Sequence, residues 1–241
     1  MAISDLGLTG SMEEGAVTFL DVLGWKGIWT RELGAGGAIY QLQGLLGAAI
    51  KRRDELIPQV APSEESLRGL SPDKAVRIDC ISDTIVMLTP LKAEIGLNIH
   101  GEICKTLICE SIIGHIPVRG ATCYGKFLIS PDRSILVGPA IDEAASWHEN
   151  TKWIGVVQTP SAYLRYHHTT TSPWIPYDRV PYKVNGPTNS YCVDWRSTWR
   201  DRFGDDDAAV SKLREHFGEM GPLTPEIGRT YLETLRFYSE K

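Results

Sequence analysis

The stretch Ala16-Val17-Thr18-Phe19-Leu20-Asp21-Val22-Leu23-Gly24-Trp25-Lys26-Gly27 constrains this chain more than any other. It is a short apolar run that carries one carboxylate and then breaks at glycines, the pattern of a buried strand delivering a single costly charge to a pocket. A second run, Val76 to Leu88, carries Asp79 and Asp83. Read as a strand, it puts Asp79, Ile81 and Asp83 on one face, because strand side chains alternate with period two. A carboxylate left unpaired among Val, Ile and Leu is expensive, so the two runs suggest a divalent cation shared by Asp21 and Asp83. A plainer alternative stays open, in which Asp21 ends its strand as a turn or cap residue and Asp83 sits on a solvated edge.

Composition bounds the rest. With 241 residues and 42% hydrophobic content, the chain can bury a substantial core as one large domain or a domain with an appendage. A net charge of −5 argues against duplex nucleic acid as a partner, because that binding needs basic surface to displace counterions. Five cysteines (Cys80, Cys104, Cys109, Cys123, Cys192) lack paired metal-ligand spacing and read as reduced, buried thiols of a cytoplasmic protein. Glu13 and Glu14 precede the first apolar run, so no signal peptide is expected, and no apolar stretch is long enough to span a bilayer.

Along the chain, residues 1–13 read as a polar lead-in. Gly24 and Gly27 suit a turn into a helix, whose apolar stripe runs through Ile39, Leu42, Leu45, Leu46, Ala49 and Ile50 to Leu56, with Lys51-Arg52-Arg53 as its basic, solvated end. A polar linker spans 58–66, and Ser71-Pro72 marks a break. Residues 91–113 have the helical period, and His100 among them reads as a core histidine. Two strands, 118–128 and 134–137, are joined at Ser130-Pro131-Asp132-Arg133. A helix over 141–150 and a strand over 154–157 follow. His167 and His168 would point to opposite faces of a strand and are discounted as ligands. Val180–Val184 and Ser190–Trp195 read as a hairpin around Asn185-Gly186-Pro187, and helices are expected over 208–217 and 227–238.

Three blocks, in order, resemble class III nucleotide cyclase domains. Phe19-x-Asp21-x-x-Gly24-Trp25 resembles the first metal strand of that family and Ile81-Ser82-Asp83 the second. Pro117 to Gly125, followed by Val137 to Ala145, resembles the glycine-rich strand and the helix after it. The resemblance covers 14–195, and 196–241 is expected to be a helical extension packed on the domain. Within the superfamily, Leu20 to Gly27 is most similar to the pyrimidine cyclases of bacterial Pycsar anti-phage systems. The resemblance implies an α/β (α+β) fold of ferredoxin-like type, an antiparallel-rich sheet with helices packed on it. It also implies a homodimer that converts UTP or CTP to cyclic UMP or cyclic CMP for a separate cyclic-nucleotide-responsive effector.

By the same resemblance, Asp21, Asp83 and the carbonyl of Val22 would hold two Mn²⁺ or Mg²⁺ ions about 3.5 to 4 Å apart. Phe19, Trp25, Asp79, Asp142 and Lys183 would contact the nucleotide, with Arg119 a further source of positive charge. Asp79 stands where purine cyclases carry a base-selecting residue and can accept a hydrogen bond from either pyrimidine. It reads equally as a strand ion pair with Arg77 or Lys74. Trp25 could narrow the base pocket or simply pack in the core. Asp142 and Ser146 stand where the family has its transition-state Asn and Arg, so that half of the apparatus departs from the pattern.

Overall fold

A computed structural model describes residues 11–25, 34–130, 135–184, 186, 190–221 and 224–240. The first half of the chain alternates strands and helices: β1 (Ser11–Val22), α1 (Gly34–Val60), a short α2 (Pro72–Ala75), β2 (Arg77–Ile81), β3 (Thr84–Thr89), α3 (Ala93–Ile113) and β4 (Val118–Ile129). These strands pair in the order β2-β3-β1-β4, all antiparallel, which is the βαββαβ arrangement of a ferredoxin-like sheet. The chain continues through β5 (Leu136–Val137), α4 (Pro139–Trp147), β6 (Gly155–Gln158), α5 (Pro160–Tyr163), β7 (Trp174–Pro176) and β8 (Tyr191–Val193). It ends in α6 (Arg196–Phe203), α7 (Asp206–Glu219) and α8 (Pro225–Ser239). Strand β6 joins β4 in parallel and extends the sheet to β8 and β7, while β5 pairs with the end of β4. The expected antiparallel-rich α/β fold with helices on the sheet is therefore the fold observed.

Alternation along β1 sorts its side chains. Ala16, Leu20 and Val22 enter the main core, which α1 and α3 cover. Thr18, on that same face, would be a cost there without partners. Its hydroxyl lies 2.7 Å from His100 Nδ1 and 2.6 Å from Thr122 Oγ1, and His100 Nε2 lies 2.8 Å from Thr89 Oγ1. This buried set ties α3 to three strands. Burial pushes His100 down to about 3, so it is neutral and is the core histidine that its apolar neighbours suggest.

Val17 on the opposite face packs with Val86, Leu88, Cys123 and Phe127 under Ala140, Ile141 and Ala144 of α4. Nine residues of helix span about 14 Å, so α4 covers one end of this face only. The other end holds Asp21, Asp79 and Ile81, the last 58% exposed.

The C-terminal helices are continuous with the main core: Trp199, Leu213, Phe217 and Phe237 are buried in it. Phe237 meets Trp153 and Tyr177 edge-on at 5.0 Å, and the Ile154 N–H donates to Thr234 Oγ1 at 2.9 Å.

Several local expectations are corrected. Residues 11–13 already belong to β1. Helix α1 runs to Val60, so Lys51-Arg52-Arg53 lies before its last turn, with Arg52 paired to Glu102 and Arg53 to Asp54. The linker contains a 3₁₀ turn that buries Leu67. Residues 180–184 form no strand, only a bridge between Tyr182 and Thr151, and β8 pairs instead with β6 and β7. Helix α6 has no apolar period strong enough to have been expected. The N-terminal lead-in over 1–10, the turn at 131–133 and the residues Gly27, Asn185 and Pro187 lie outside the described residues. All five cysteines are free, four of them buried. Among the described residues, no helix is long and apolar enough to cross a membrane.

Candidate active site

Asp21 is the penultimate residue of β1, directly across from Thr84 on β3 and Arg119 on β4. Cross-strand partners share a face, so Arg119 reaches the carboxylate without bending the sheet. Its Nε and Nη2 donate to Asp21 Oδ2 at 3.3 and 3.1 Å, and its Nη1 donates to the Thr151 carbonyl at 3.1 Å.

Asp83 arrives from the other side. It is not a strand residue, as the period-two reading of 76–88 expected. β2 ends at Ile81 and β3 begins at Thr84, leaving Ser82-Asp83 as a two-residue turn in which Ser82 takes a left-handed φ of 59°. The Val22 N–H donates to the Asp83 carbonyl at 3.2 Å, which fixes this turn beside the end of β1. Burial holds the Asp21 carboxyl above the usual carboxylate range. Arg119 and His148 oppose that, and the negative charge of Asp83 adds to it. Two carboxylates that repel one another at a half-buried corner, beside a strand-end carbonyl at Val22, suit a divalent cation.

Beyond Val22 the chain turns at Gly24 (φ 76°), and Leu23 N–H donates to the Pro117 carbonyl at 2.8 Å. A cleft of about 340 Å³ opens here, bordered by Leu23, Gly24, Arg119, Lys152, Lys183 and the first turns of α8. Segments 150–152 and 181–183 are stitched together by Lys152 N–H to Pro181 O and Lys183 N–H to Asn150 O, both 2.7 Å. That stitching sets Lys152 and Lys183 beside Arg119. Burial and Arg119 push the Lys183 amine down, against the pull of Glu149, Asp21 and Glu226. Three cations beside two carboxylates make a site that attracts a polyphosphate at one end and a metal at the other. A groove of similar volume between α1 and α3 has its Arg52 paired with Glu102 and its Lys51 with Glu55.

Asp21, Asp83, Val22, Arg119 and Lys183 thus converge. Phe19 lies two residues along the same face, its ring centroid 5.9 Å from that of His148. Asp79 is on that face too, but its carboxylate is paired with Arg77. Trp25 turns toward α1, near Ile39, Leu42, Leu46 and Cys80. Asp142 is exposed in the first turn of α4, six residues before His148. The Ser146 hydroxyl donates to the Glu143 carbonyl at 2.8 Å, inside its own helix. Lys152, His148 and Glu226 were not expected from sequence. Each is a single residue with no local pattern, brought in only by long-range pairing.

No protein-family model matches the chain, and the comparison with curated proteins returns no match. Solved structures similar to it include the catalytic core of a rhodopsin-guanylyl cyclase with converted specificity in complex with ATPαS. That likeness has 16% identity and a TM-score of 0.47, over 77% of this chain and 98% of that one. The monomeric guanylyl cyclase domain of the RhoGC fusion protein from Blastocladiella emersonii is similar at 15% identity and a TM-score of 0.46, over 76% and 96%. The adenylyl cyclase CyaB from P. aeruginosa is similar at 11% identity and a TM-score of 0.44, over 78% and 96%.

Proposed function

We propose that this chain is a class III nucleotide cyclase that converts UTP, or CTP, to the 3′,5′-cyclic monophosphate and pyrophosphate. The observation that carries the reading is the corner where Asp83 abuts the end of β1 beside Asp21, opening onto a cleft with Arg119, Lys152 and Lys183. Two Mn²⁺ or Mg²⁺ ions, held by Asp21, Asp83 and the Val22 carbonyl, would supply Lewis-acid charge at the α-phosphate and acidify the ribose 3′-hydroxyl. Arg119, Lys152 and Lys183 bind the β- and γ-phosphates and neutralise the leaving pyrophosphate. As the 3′-hydroxyl gives its proton to solvent water, the O3′–Pα bond forms and the bond from Pα to pyrophosphate breaks, its electron pair leaving with the pyrophosphate. For this, Arg119 exchanges part of its bond to Asp21 for a phosphate oxygen.

A homodimer completes the reading. Asp142 is exposed in the first turn of α4, and the Asp21 end of the sheet face is uncovered around Ile81. A second copy on that face would bring its own α4 toward the nucleotide. The pyrimidine preference rests on the resemblance of Leu20 to Gly27 and on Asp79, which shares the Asp21 face and can accept from uracil N3–H or the cytosine amino group once it leaves Arg77. The same resemblance supports a role in anti-phage defence, with the cyclic product acting on a separate effector, and the free cysteines support a cytoplasmic location.

The Asp79–Arg77 pair favours a second reading, in which Asp79 is structural and the substrate is ATP or GTP. A third, a catalytically silent nucleotide-binding module, is favoured by Asp142 and Ser146 in place of the family residues. Incubating the purified chain with each of the four NTPs and Mn²⁺, and identifying products by mass spectrometry, separates the three. Cyclic UMP or cyclic CMP is the expected product. Cyclic AMP or cyclic GMP alone overturns the pyrimidine assignment, and no product from any NTP overturns the enzyme.

A further inference from the structure

Behind the cleft, where the α3–β4 connection meets α7, three side chains of metal-binding type converge: His115, His216 and Glu219. Among the described residues they form a group whose ligand atoms all lie within 4.8 Å of one another. His216 and Glu219 stand three apart on α7 and so share a helix face. His115 sits just past the end of α3 in a left-handed conformation, φ 57°, its N–H donating to the Ile112 carbonyl at 3.1 Å. That backbone geometry turns its ring toward α7.

The distances fit a shared cation. His115 Nε2 is 3.3 Å from His216 Nδ1 and 3.3 Å from Glu219 Oε2. Bonds of about 2.0 to 2.1 Å around a tetrahedral ion give ligand-to-ligand edges of about 3.4 Å. One ring nitrogen carries at most one hydrogen and cannot donate to both neighbours with a full bond each. A cation among the three uses every lone pair. Two imidazoles and one carboxylate suit Zn²⁺ or a similar transition metal better than the all-oxygen sites preferred by Mg²⁺. The Glu219 side chain is 55% exposed, so water can take the fourth position.

We propose that His115, His216 and Glu219 form a Zn²⁺-type site, separate from the Asp21–Asp83 corner, that clamps α7 to the α3–β4 connection. His115 also borders the cationic cleft, and Pro117, two residues on, accepts the Leu23 N–H. The clamp therefore holds a wall of that cleft in place. This inference does not rest on the cyclase reading, because metal content and spectra test it without any turnover.

The experiment takes the full chain stripped with chelator and titrates Zn²⁺ by calorimetry, with Co²⁺ as a spectroscopic probe. One Zn²⁺ per chain whose binding depends on His216 is expected, together with the visible bands of tetrahedral, nitrogen-ligated Co²⁺. Affinity should fall at least about tenfold in His216→Ala and in the volume-conserving Glu219→Gln. The site should persist in the Asp21→Asn/Asp83→Asn double variant. Absence of tetrahedral Co²⁺ bands in the wild type overturns the proposal whatever the variants do. So does Zn²⁺ binding that survives His216→Ala unchanged, or that disappears with the two aspartates.

Discussion

Asp21 on β1 and Arg119 on β4 are direct cross-strand partners, with guanidinium Nη2 3.1 Å from the carboxylate and both side chains 13% exposed. Removing one partner of so enclosed a pair strands the other charge. Arg119→Ala is expected to destabilise the fold by roughly 3 to 5 kcal/mol. The double variant Arg119→Ala/Asp21→Asn should recover much of that loss in urea unfolding. Additive losses would show that the pair is not coupled.

The same carboxylate sets a pH dependence. Burial raises the folded-state pKa of Asp21 above the ordinary value of 3.8, so the folded chain holds this proton more tightly than the unfolded one. Its contribution is complete below 3.8 and is lost as pH rises through the raised value. Asp21→Asn should remove that component, changing the slope of urea midpoint against pH just above 3.8. An unchanged slope would contradict the burial of the charge.

His100 acts over another window. Its pKa is pushed down to about 3, so its contribution is present above 6.5 and is lost as pH falls from there toward about 3. Between pH 7 and pH 5 this amounts to roughly 2 kcal/mol of lost stability. A His100→Gln chain should lack that loss in denaturant titrations at the two pH values.

Asp83 lies on a turn, so replacing it tests chemistry more than folding. Asp83→Asn is expected to keep the thermal unfolding temperature and to lower cyclic nucleotide formation at least about 100-fold. If Lys183 holds the β- and γ-phosphates, Lys183→Ala should raise KM for the nucleotide and also lower kcat, because charge on the leaving pyrophosphate grows in the transition state. Retained turnover in Asp83→Asn would remove the two-carboxylate site.

If two chains share each site, inactive variants should complement. Mixing Asp21→Asn chains with Asp142→Ala chains gives mixed dimers with one intact site of two, and so roughly a quarter of wild-type activity. No recovery on mixing, with both variants inactive alone, would place the whole site within one chain.

Much of the sheet was legible because its signals are local. The apolar run along 16–22 marked β1, helical periods marked α1 and α3, and apolar neighbours marked His100 as a core residue. The hairpin reading of 180–195 failed because the partners of β8 lie elsewhere, at Val157 and at 174–176. Such pairing depends on which edge is free once the sheet is assembled, and short strands do not encode it.

The amino-acid order by itself determined that Asp21 would ride a buried strand ending in a glycine turn, since hydrophobic alternation and backbone permissiveness act over a few residues. Only the tertiary structure decided that Arg119 holds it, that Asp83 reaches it from a turn, and that Lys152, Lys183 and His148 surround it. Those neighbours come from up to 162 positions away in the chain. What sets them side by side is sheet register and loop stitching, free energies that exist only when the whole core has closed.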